Sequence, residues 1–197
     1  MVKKIAVFLS GGGSNLQVLI DKQENLHGQI VLVVSNRQNA YGLTRAEKAN
    51  IETAVIVNDD QAILELLRKK EVNLVVLAGY LAIVSSHLIA AYQNKIINIH
   101  PSLLPSFSGR GAYGIHVHKQ VWQRGVKITG ATVHFVNEGI DEGPIIMQEA
   151  CDISDLQTPE EIQQRVLQLE HVILPKAIQA FCENRIEIKK GKVRIHE

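Results

Sequence analysis

The stretch IAVFLSGGGSNL, residues 5–16, decides the fold of this chain. It begins with five apolar residues, passes through Ser10 and three consecutive glycines, and continues into a segment that favours helix. A buried strand, a glycine turn and a helix form the first unit of an open α/β sheet. The glycines let backbone N–H groups converge, and the start of a helix adds a partial positive charge. The stretch therefore predicts an anion site, of the kind that holds a phosphate, at the end of the first strand.

Two common nucleotide-binding patterns do not fit this glycine turn. The dinucleotide fingerprint G-x-G-x-x-G would need its third glycine at position 16, which is Leu. The Walker pattern is absent too, because no Gly-Lys-Ser/Thr follows the glycines. One phosphate is therefore expected rather than a pyrophosphate or a triphosphate. A plain turn in which Ser14 or Asn15 caps the helix remains the alternative.

Short apolar runs alternate with helix-length segments through the first half of the chain. The runs are rich in Val, Ile and Leu and show no polar face, which is typical of parallel strands covered on both sides. Strands joined by helices form right-handed crossovers within one open sheet. The predicted strands are 5–9, 30–34, 53–57 and 74–77, and the predicted helices lie near 15–26, 42–50 and 61–71.

After residue 100 the pattern changes to paired strands and a long helix. The segment KITGATVHFV at 127–136 alternates with the period of a strand, and a strand at 144–150 follows the tight turn GIDEGP, so these two strands are expected to be antiparallel. Thr158, Pro159 and Glu161 mark the start of a long helix. Further predicted elements are a helix at 117–124 and a hairpin of 185–189 and 192–195 around Gly191.

Together these elements predict an α/β fold. We expect an open, twisted, mostly parallel sheet with helices on both faces and antiparallel strands in the C-terminal half. Nothing in the sequence requires two separate cores, so residues 1–197 are expected to form a single domain.

The charge balance and the apolar segments exclude several classes of protein. Lys and Arg number 21 against 20 Asp and Glu, whereas a nucleic-acid-binding domain usually has a strong basic excess. The apolar stretch at 74–84 is shorter than the roughly 20 residues that span a membrane, and the one at 5–9 is too short for a signal peptide. We therefore expect a cytoplasmic protein with no nucleic acid or membrane partner and with two reduced thiols, Cys151 and Cys182.

The stretch NIHPSLLP, residues 98–105, holds the first candidates for catalysis. Side chains two positions apart on a strand point to the same face, so Asn98 and His100 share one face. Both end an apolar strand, and open α/β sheets bind ligands at the carboxyl ends of their strands. Pro101 and Pro105 restrict the backbone beyond them. A buried Asn bonded to the backbone beside an incidental His is the alternative.

Two acidic residues further along the chain are candidates as well. Asp141 lies in the turn GIDEGP, and a carboxylate near His100 would stabilise the protonated imidazole. An Asp in such a turn is commonly a simple turn residue. Glu170 lies on the edge of the apolar face of the long helix, from which it would reach into a cleft, although a solvated side chain is the commoner case.

The histidines and serines of this region allow two other chemistries. Four histidines are close in sequence, but no Cys or carboxylate accompanies them in the spacing of a zinc site. Ser102 and Ser106 lie outside any G-x-S-x-G turn, which is the usual setting of a nucleophilic serine. We therefore expect neither a metal nor a serine nucleophile. The four histidines are His100, His116, His118 and His134.

Four motifs are distributed over essentially the full chain: SGGGSN at 10–15, NIHPSLLP at 98–105, GATVHFVNEGIDEGPII at 130–146 and QLEHVILP at 168–175. In content, order and approximate spacing they resemble the glycinamide ribonucleotide formyltransferases, the folate-dependent enzymes of purine synthesis. The resemblance implies a formyltransferase fold in which 1–100 bind the phosphate and 101–197 complete the folate cleft. It also implies a cis peptide at Leu104–Pro105.

The resemblance implies a role for each matching position. Asn98, His100 and Asp141 would be the catalytic trio. Gly13, Ser14 and Asn15 would hold the phosphate of the ribonucleotide, and Glu170 would contact the same substrate. The folate pocket would be lined, largely through backbone atoms, by Leu81, Ala82, Ile83, Val84, Asn98, Glu138, Gly139, Ile140 and Asp141.

The resemblance also implies the reaction and its small-molecule partners. The amine of glycinamide ribonucleotide would attack the formyl carbon of 10-formyltetrahydrofolate, the co-substrate, with no metal. Two departures from the family pattern concern the folate tail and the neighbouring loop. Ala82 stands where a basic residue often occurs, with no matching Arg around 57–62, and the segment at 106–114 is longer than in some members. A monomer and a homodimer are both compatible with the sequence.

A formyltetrahydrofolate hydrolase is the alternative enzyme, because it shares the trio and gives the formyl group to water. The hydrolases carry an additional N-terminal regulatory domain, whereas the first predicted strand here begins at residue 5, and a phosphate site has no purpose in a hydrolase. A nucleotide-binding module without activity is a second alternative. It would leave Asn98, His100 and Asp141 without a role.

Overall fold

A computed structural model describes residues 2–197, and its largest feature is a sheet of seven strands. The strands are β1 (Lys3–Leu9), β2 (Gly28–Ser35), β3 (Glu52–Val55), β4 (Leu74–Leu77), β5 (Ile96–His100), β6 (Ile128–Phe135) and β7 (Ile145–Asp152). Their order across the sheet is β3-β2-β1-β4-β5-β6-β7. The pairs β5–β6 and β6–β7 are antiparallel and the other pairs are parallel, which confirms the predicted fold class.

Residues 2–197 contain six α-helices, and five of them coincide with predicted ones. They are α1 (Ser14–Asp21), α2 (Tyr41–Lys48), α3 (Asp60–Lys69), α4 (Ser86–Ala91), α5 (Ile115–Arg124) and α6 (Pro159–Cys182). The helix predicted near 15–26 ends at Asp21 and continues as the 3₁₀ turn Gln23–Leu26, and β3 ends two residues earlier than predicted. The predicted C-terminal hairpin is present as β8 (Ile186–Lys189) and β9 (Lys192–Ile195).

The sheet is covered on both faces, as its apolar strands require. Along β1 the side chains alternate between two cores: Ile5, Val7 and Leu9 pack with α1, α2, α5 and α6, whereas Ala6 and Phe8 pack with α3 and α4. All five are essentially inaccessible to solvent. Strand β1 therefore contributes side chains to both cores.

The long helix α6 begins at the predicted cap. The side chain of Thr158 accepts a bond from the backbone N–H of Glu161 at 3.2 Å, and the carboxylate of Glu161 accepts one from the N–H of Thr158 at 3.0 Å. No helix in residues 2–197 has the length and apolarity that a membrane crossing requires. Cys151 and Cys182 are free thiols, and the peptide Leu104–Pro105 is cis, as expected.

We predict that Leu67→Ala lowers the free energy of unfolding by about 2–5 kcal/mol, because the buried leucine fills the core between α3 and the sheet. The control Arg68→Ala removes an exposed neighbour in the same helix and should change stability by less than about 0.5 kcal/mol. Urea unfolding followed by circular dichroism measures both. Equal losses in the two variants would contradict the assignment of this core.

Candidate active site

A cleft of about 600 Å³ opens along the carboxyl ends of β1, β4 and β5. The strand order reverses between β1 and β4, which is where open α/β sheets bind their ligands. The segments 11–15 and 78–84, which follow β1 and β4, line the cleft together with residues 98–101 at the end of β5. The loops 109–114 and 136–141 contribute further lining, together with residues of α6. Every residue that the sequence proposed for the site lines this one cleft.

His100 and Asp141 face one another in the cleft. Nδ1 of His100 lies 3.6 Å from Oδ1 of Asp141, and His100 is 4% exposed. Nε2 of the same ring lies 2.9 Å from the carbonyl oxygen of Phe107. A carbonyl only accepts, so Nε2 carries a hydrogen, and a second proton on Nδ1 would face the carboxylate. Both ring nitrogens of His100 therefore face acceptors, a carbonyl oxygen on one side and a carboxylate on the other.

His134 belongs to the same cluster, although the sequence did not reveal it as a site residue. Its Nδ1 lies 2.8 Å from the carbonyl oxygen of Phe135, and its Nε2 lies 3.1 Å from Nδ2 of Asn98. Burial lowers the pKa of His134, so the ring is neutral with its hydrogen on Nδ1. Nε2 then accepts from the Asn98 amide. This contact sets the orientation of Asn98 and leaves its second amide hydrogen for a ligand.

The loop 106–114 contacts both His100 and Asp141 through its backbone. The carbonyl of Phe107 accepts from His100, and the N–H of Gly109 donates to Oδ2 of Asp141 at 3.1 Å. Backbone contacts of this kind depend on the path of the loop and leave no pattern of side chains in the sequence. The loop thus holds the two polar groups from one side of the cleft.

The glycine turn presents unused N–H groups, as an anion site requires. The carbonyl of Gly11 accepts from the N–H of Gly42 at 3.0 Å, and the carbonyl of Gly12 accepts from Nε of Arg45 at 2.8 Å. The N–H groups of 11–15 donate no hydrogen bond to another backbone group of residues 2–197. Gly13 has a φ of 70°, a conformation that strongly favours glycine. The turn and the first N–H groups of α1 therefore form a cradle of donors that lines the cleft.

Asn15 and Glu170 form a buried pair beside this turn. Nδ2 of Asn15 donates to Oε2 of Glu170 at 2.7 Å, although 155 positions separate the two residues. Glu170 is 8% exposed, so the solvated alternative is wrong. Burial raises the pKa of Glu170 to about 7, a larger effect than the opposing one of the Asn15 hydrogen bond. Oδ1 of Asn15 is buried with no partner in the described chain, which leaves an acceptor for a ligand.

Ser10 joins the glycine turn to the segment that follows β4. Its hydroxyl donates to Oδ1 of Asn36 at 2.6 Å and accepts from the N–H of Leu81 at 2.8 Å. Its N–H donates to the carbonyl of Gly79 at 3.0 Å. Ile83, two residues beyond Leu81, is 76% exposed beside the cleft. The segment therefore offers backbone polar groups and apolar side chains along one wall.

The remaining two histidines have different surroundings. His118 is buried and lines the cleft, and burial together with the charge of His100 lowers the pKa of His118 to about 4. His116 is exposed and packs edge-on against Tyr113, with ring centroids 5.1 Å apart. Within residues 2–197 no three His, Cys, Asp or Glu side chains are grouped as metal ligands. The four histidines are therefore not one set of ligands in this part of the chain.

Comparison with known proteins identifies the family. The family model described as formyl transferase matches residues 3–178. The chain belongs to the formyl transferase family. It is 43% identical to a phosphoribosylglycinamide formyltransferase of Bacillus subtilis, over 90% of this chain and 93% of that protein. It is 39% identical to the chloroplastic phosphoribosylglycinamide formyltransferase of Arabidopsis thaliana, over 97% of this chain and 69% of that protein.

Solved structures of this family have the same fold. A glycinamide ribonucleotide transformylase of Symbiobacterium toebii superimposes with a TM-score of 0.93 at 40% identity, over 100% of this chain and 95% of that one. A formyltetrahydrofolate deformylase of Pseudomonas syringae superimposes with a TM-score of 0.90 at 28% identity, over 100% of this chain and 67% of that one.

The chain spans 64% of a second plant relative, from Vigna unguiculata, and 19–20% of trifunctional purine biosynthetic proteins of chicken, cattle and human.

We predict that Glu170→Gln stabilises this formyl transferase near pH 8 and has no effect well below pH 4.5. The pKa of Glu170 rises from 4.5 to about 7 on folding, so the folded state holds a proton that the unfolded state releases between those values. Stability of the natural protein therefore falls as pH rises through this window, by about 3 kcal/mol. Glutamine keeps an acceptor for Asn15 and carries no charge.

Denaturant unfolding at a series of pH values measures this effect. The exposed residue Glu65, changed to Gln, is the control and should leave the pH dependence as it is. If the stability of Glu170→Gln and of the natural protein changed with pH in the same way, ionisation of Glu170 would not affect folding stability.

Proposed function

We propose that this chain transfers the formyl group of 10-formyltetrahydrofolate to the amine of glycinamide ribonucleotide, in de novo purine biosynthesis. One observation carries the proposal: Asn98, His100 and Asp141 line the same cleft as a glycine turn with unused N–H groups. The activity named for the Bacillus and Arabidopsis relatives supports it. A hydrolase would use the same trio, but its acceptor is water, which has no phosphate for the glycine turn to bind.

The ribonucleotide occupies the end of the cleft formed by the half of the chain before residue 101. Its phosphate accepts hydrogen bonds from Gly13, Ser14 and Asn15, where the start of α1 adds a favourable field. Glu170 contacts the same substrate. Its raised pKa keeps part of the population uncharged near neutral pH, which limits repulsion of the phosphate.

The folate occupies the other end, which the half from residue 101 onward completes. Its ring system lies along Leu81–Val84 and the turn Glu138–Asp141, and backbone groups of both segments bind the polar edge of the ring. Exposed Ile83 and Ile140 offer apolar contact beside them. The formyl group then lies next to Asn98, His100 and Asp141.

Transfer proceeds by direct attack of the amine on the formyl carbon, without a protein nucleophile. Negative charge develops on the formyl oxygen, and it is stabilised by the free N–H of the Asn98 amide and by the positive charge of His100. A donor of this kind contributes about 2.7–4 kcal/mol, or roughly 10²–10³ in rate. Binding both substrates in one cleft removes a further part of the barrier.

Asp141 has two tasks in this mechanism. Its carboxylate balances the charge of His100, from which it is 3.6 Å away. It also moves the proton of the attacking amine toward the nitrogen of the departing folate, through water. The N–H of Gly109 fixes the second carboxylate oxygen, so the orientation needed for both tasks is held before substrate binds.

The acceptor test distinguishes the transferase from the hydrolase. Release of tetrahydrofolate from 10-formyltetrahydrofolate is followed with and without glycinamide ribonucleotide, and the formylated ribonucleotide is quantified by mass spectrometry. We expect release to depend on the ribonucleotide and to match formylated product one to one. Equal release in the two mixtures would replace the transferase with the hydrolase.

We further predict that Asp141→Asn lowers kcat by about 10²–10⁴-fold while both substrates still bind, because the amide keeps an acceptor for Gly109 but carries no charge for His100. Glu142→Gln, in the same turn but exposed, should keep kcat within about threefold. Steady-state kinetics and fluorescence titration with a folate analogue measure the two effects. An Asp141→Asn enzyme of full activity would remove Asp141 from the mechanism.

A further inference from the structure

We infer that Arg45, on helix α2, is a positioning residue that orients the Gly12–Gly13 peptide so that its N–H faces the ribonucleotide phosphate. The inference rests on the proposed function, because it concerns the phosphate of that substrate. Arg45 does not line the cleft, and its contact with the turn is on the opposite side of the peptide. It therefore contacts the glycine turn and does not touch the ligand.

The geometry of two consecutive peptides carries the inference. In a planar trans peptide the C=O and the following N–H point in opposite directions. The carbonyl of Gly12 points to Nε of Arg45 at 2.8 Å, so the N–H of Gly13 points away from α2. The carbonyl of Gly11 points to the N–H of Gly42, also on α2, so the N–H of Gly12 points away from α2 as well. Both donors are thus turned toward the cleft that the glycines line.

Arg45 is itself held in place for this contact. Nη1 donates to Oε1 of Gln17 on α1 at 2.9 Å, and the guanidinium lies over the ring of Tyr41, 4.9 Å from its centroid. The rigid guanidinium thus connects α1, the glycine turn and α2 with two hydrogen bonds at fixed angles. A lysine would provide the charge without that geometry.

The close approach of the turn to α2 makes this contact specific. A Cβ on Gly13 would lie 2.7 Å from Cα of Gly42, so the two backbones pack directly against each other. Arg45 begins on the same helix three residues later and reaches the adjacent carbonyl. In residues 2–197 no carboxylate lies within 4.0 Å of its guanidinium. Its positive charge therefore adds to the field at the anion site.

The test compares the natural enzyme with Arg45→Ala, Arg45→Lys and the control Lys48→Ala, which removes an exposed charge from the same helix. The natural enzyme is assayed first with glycinamide ribonucleotide. Absence of transfer in that assay would contradict the proposed function and would not test the role of Arg45. We expect Arg45→Ala to raise the KM for the ribonucleotide by about 10- to 100-fold, with kcat and the KM for folate within about threefold. Inhibition by inorganic phosphate should weaken in parallel.

Two further measurements distinguish a positioning role of Arg45 from an effect of its charge and from a nonspecific loss of enzyme activity. Arg45→Lys should restore only a small part of the affinity, since it keeps the charge and loses the fixed hydrogen bonds. With the phosphate-free glycinamide riboside as acceptor, Arg45→Ala and the natural enzyme should have the same kcat/KM. An unchanged ribonucleotide KM in Arg45→Ala, full rescue by lysine, or an equal loss with the riboside would each overturn the inference. Lys48→Ala should match the natural enzyme throughout.

Discussion

The antiparallel pairing of β5 with β6 is the constraint on which the candidate active site depends. It places His134 directly opposite Asn98 and Thr132 directly opposite His100. Thr132 donates to the carbonyl of Ser102 at 2.6 Å and accepts from the N–H of Leu104 at 3.1 Å, so it holds the chain that leaves β5. Because side chains alternate along a strand, a shift of this pairing by one residue would turn both contacts to the opposite face. A backbone register thus orients the Asn98 amide and anchors the loop that reaches His100.

Burial also determines the charges of several side chains in the cleft. The same removal of water raises the pKa of Glu170 and lowers the pKa values of His118 and His134, in each case toward the uncharged form. These neutral side chains surround the contact between His100 and Asp141, in which Nδ1 and Oδ1 lie 3.6 Å apart. A charge that develops on a substrate in such surroundings interacts strongly with the few donors present, because little water competes for it.

Local patterns were sufficient for much of this architecture, and long-range contacts explain what they missed. Contacts between sequence neighbours determine the strand, glycine turn and helix of residues 5–16, so this unit was predictable. The same holds for the helix cap at Thr158. Helix α4 has six residues, too few for a hydrophobic period to show. The partnership of His134 with Asn98 depends on strand pairing, and the burial of Glu170 depends on how α6 packs against α1. The resemblance to a known family supplied Asn98, Asp141 and Glu170 as site residues where residue patterns alone left alternatives open, but it did not supply His134.

The bond between Asn15 and Glu170 has a consequence for protein synthesis. The glycine turn leaves the ribosome early, whereas its acidic partner is translated 155 residues later, within the last long helix. A nascent chain that has folded β1 and α1 still exposes the Asn15 amide to water, and only the docking of α6 covers it. The end of the cleft beside the glycine turn is therefore among the last parts of the molecule to form, because it is complete only when the last long helix has packed against α1.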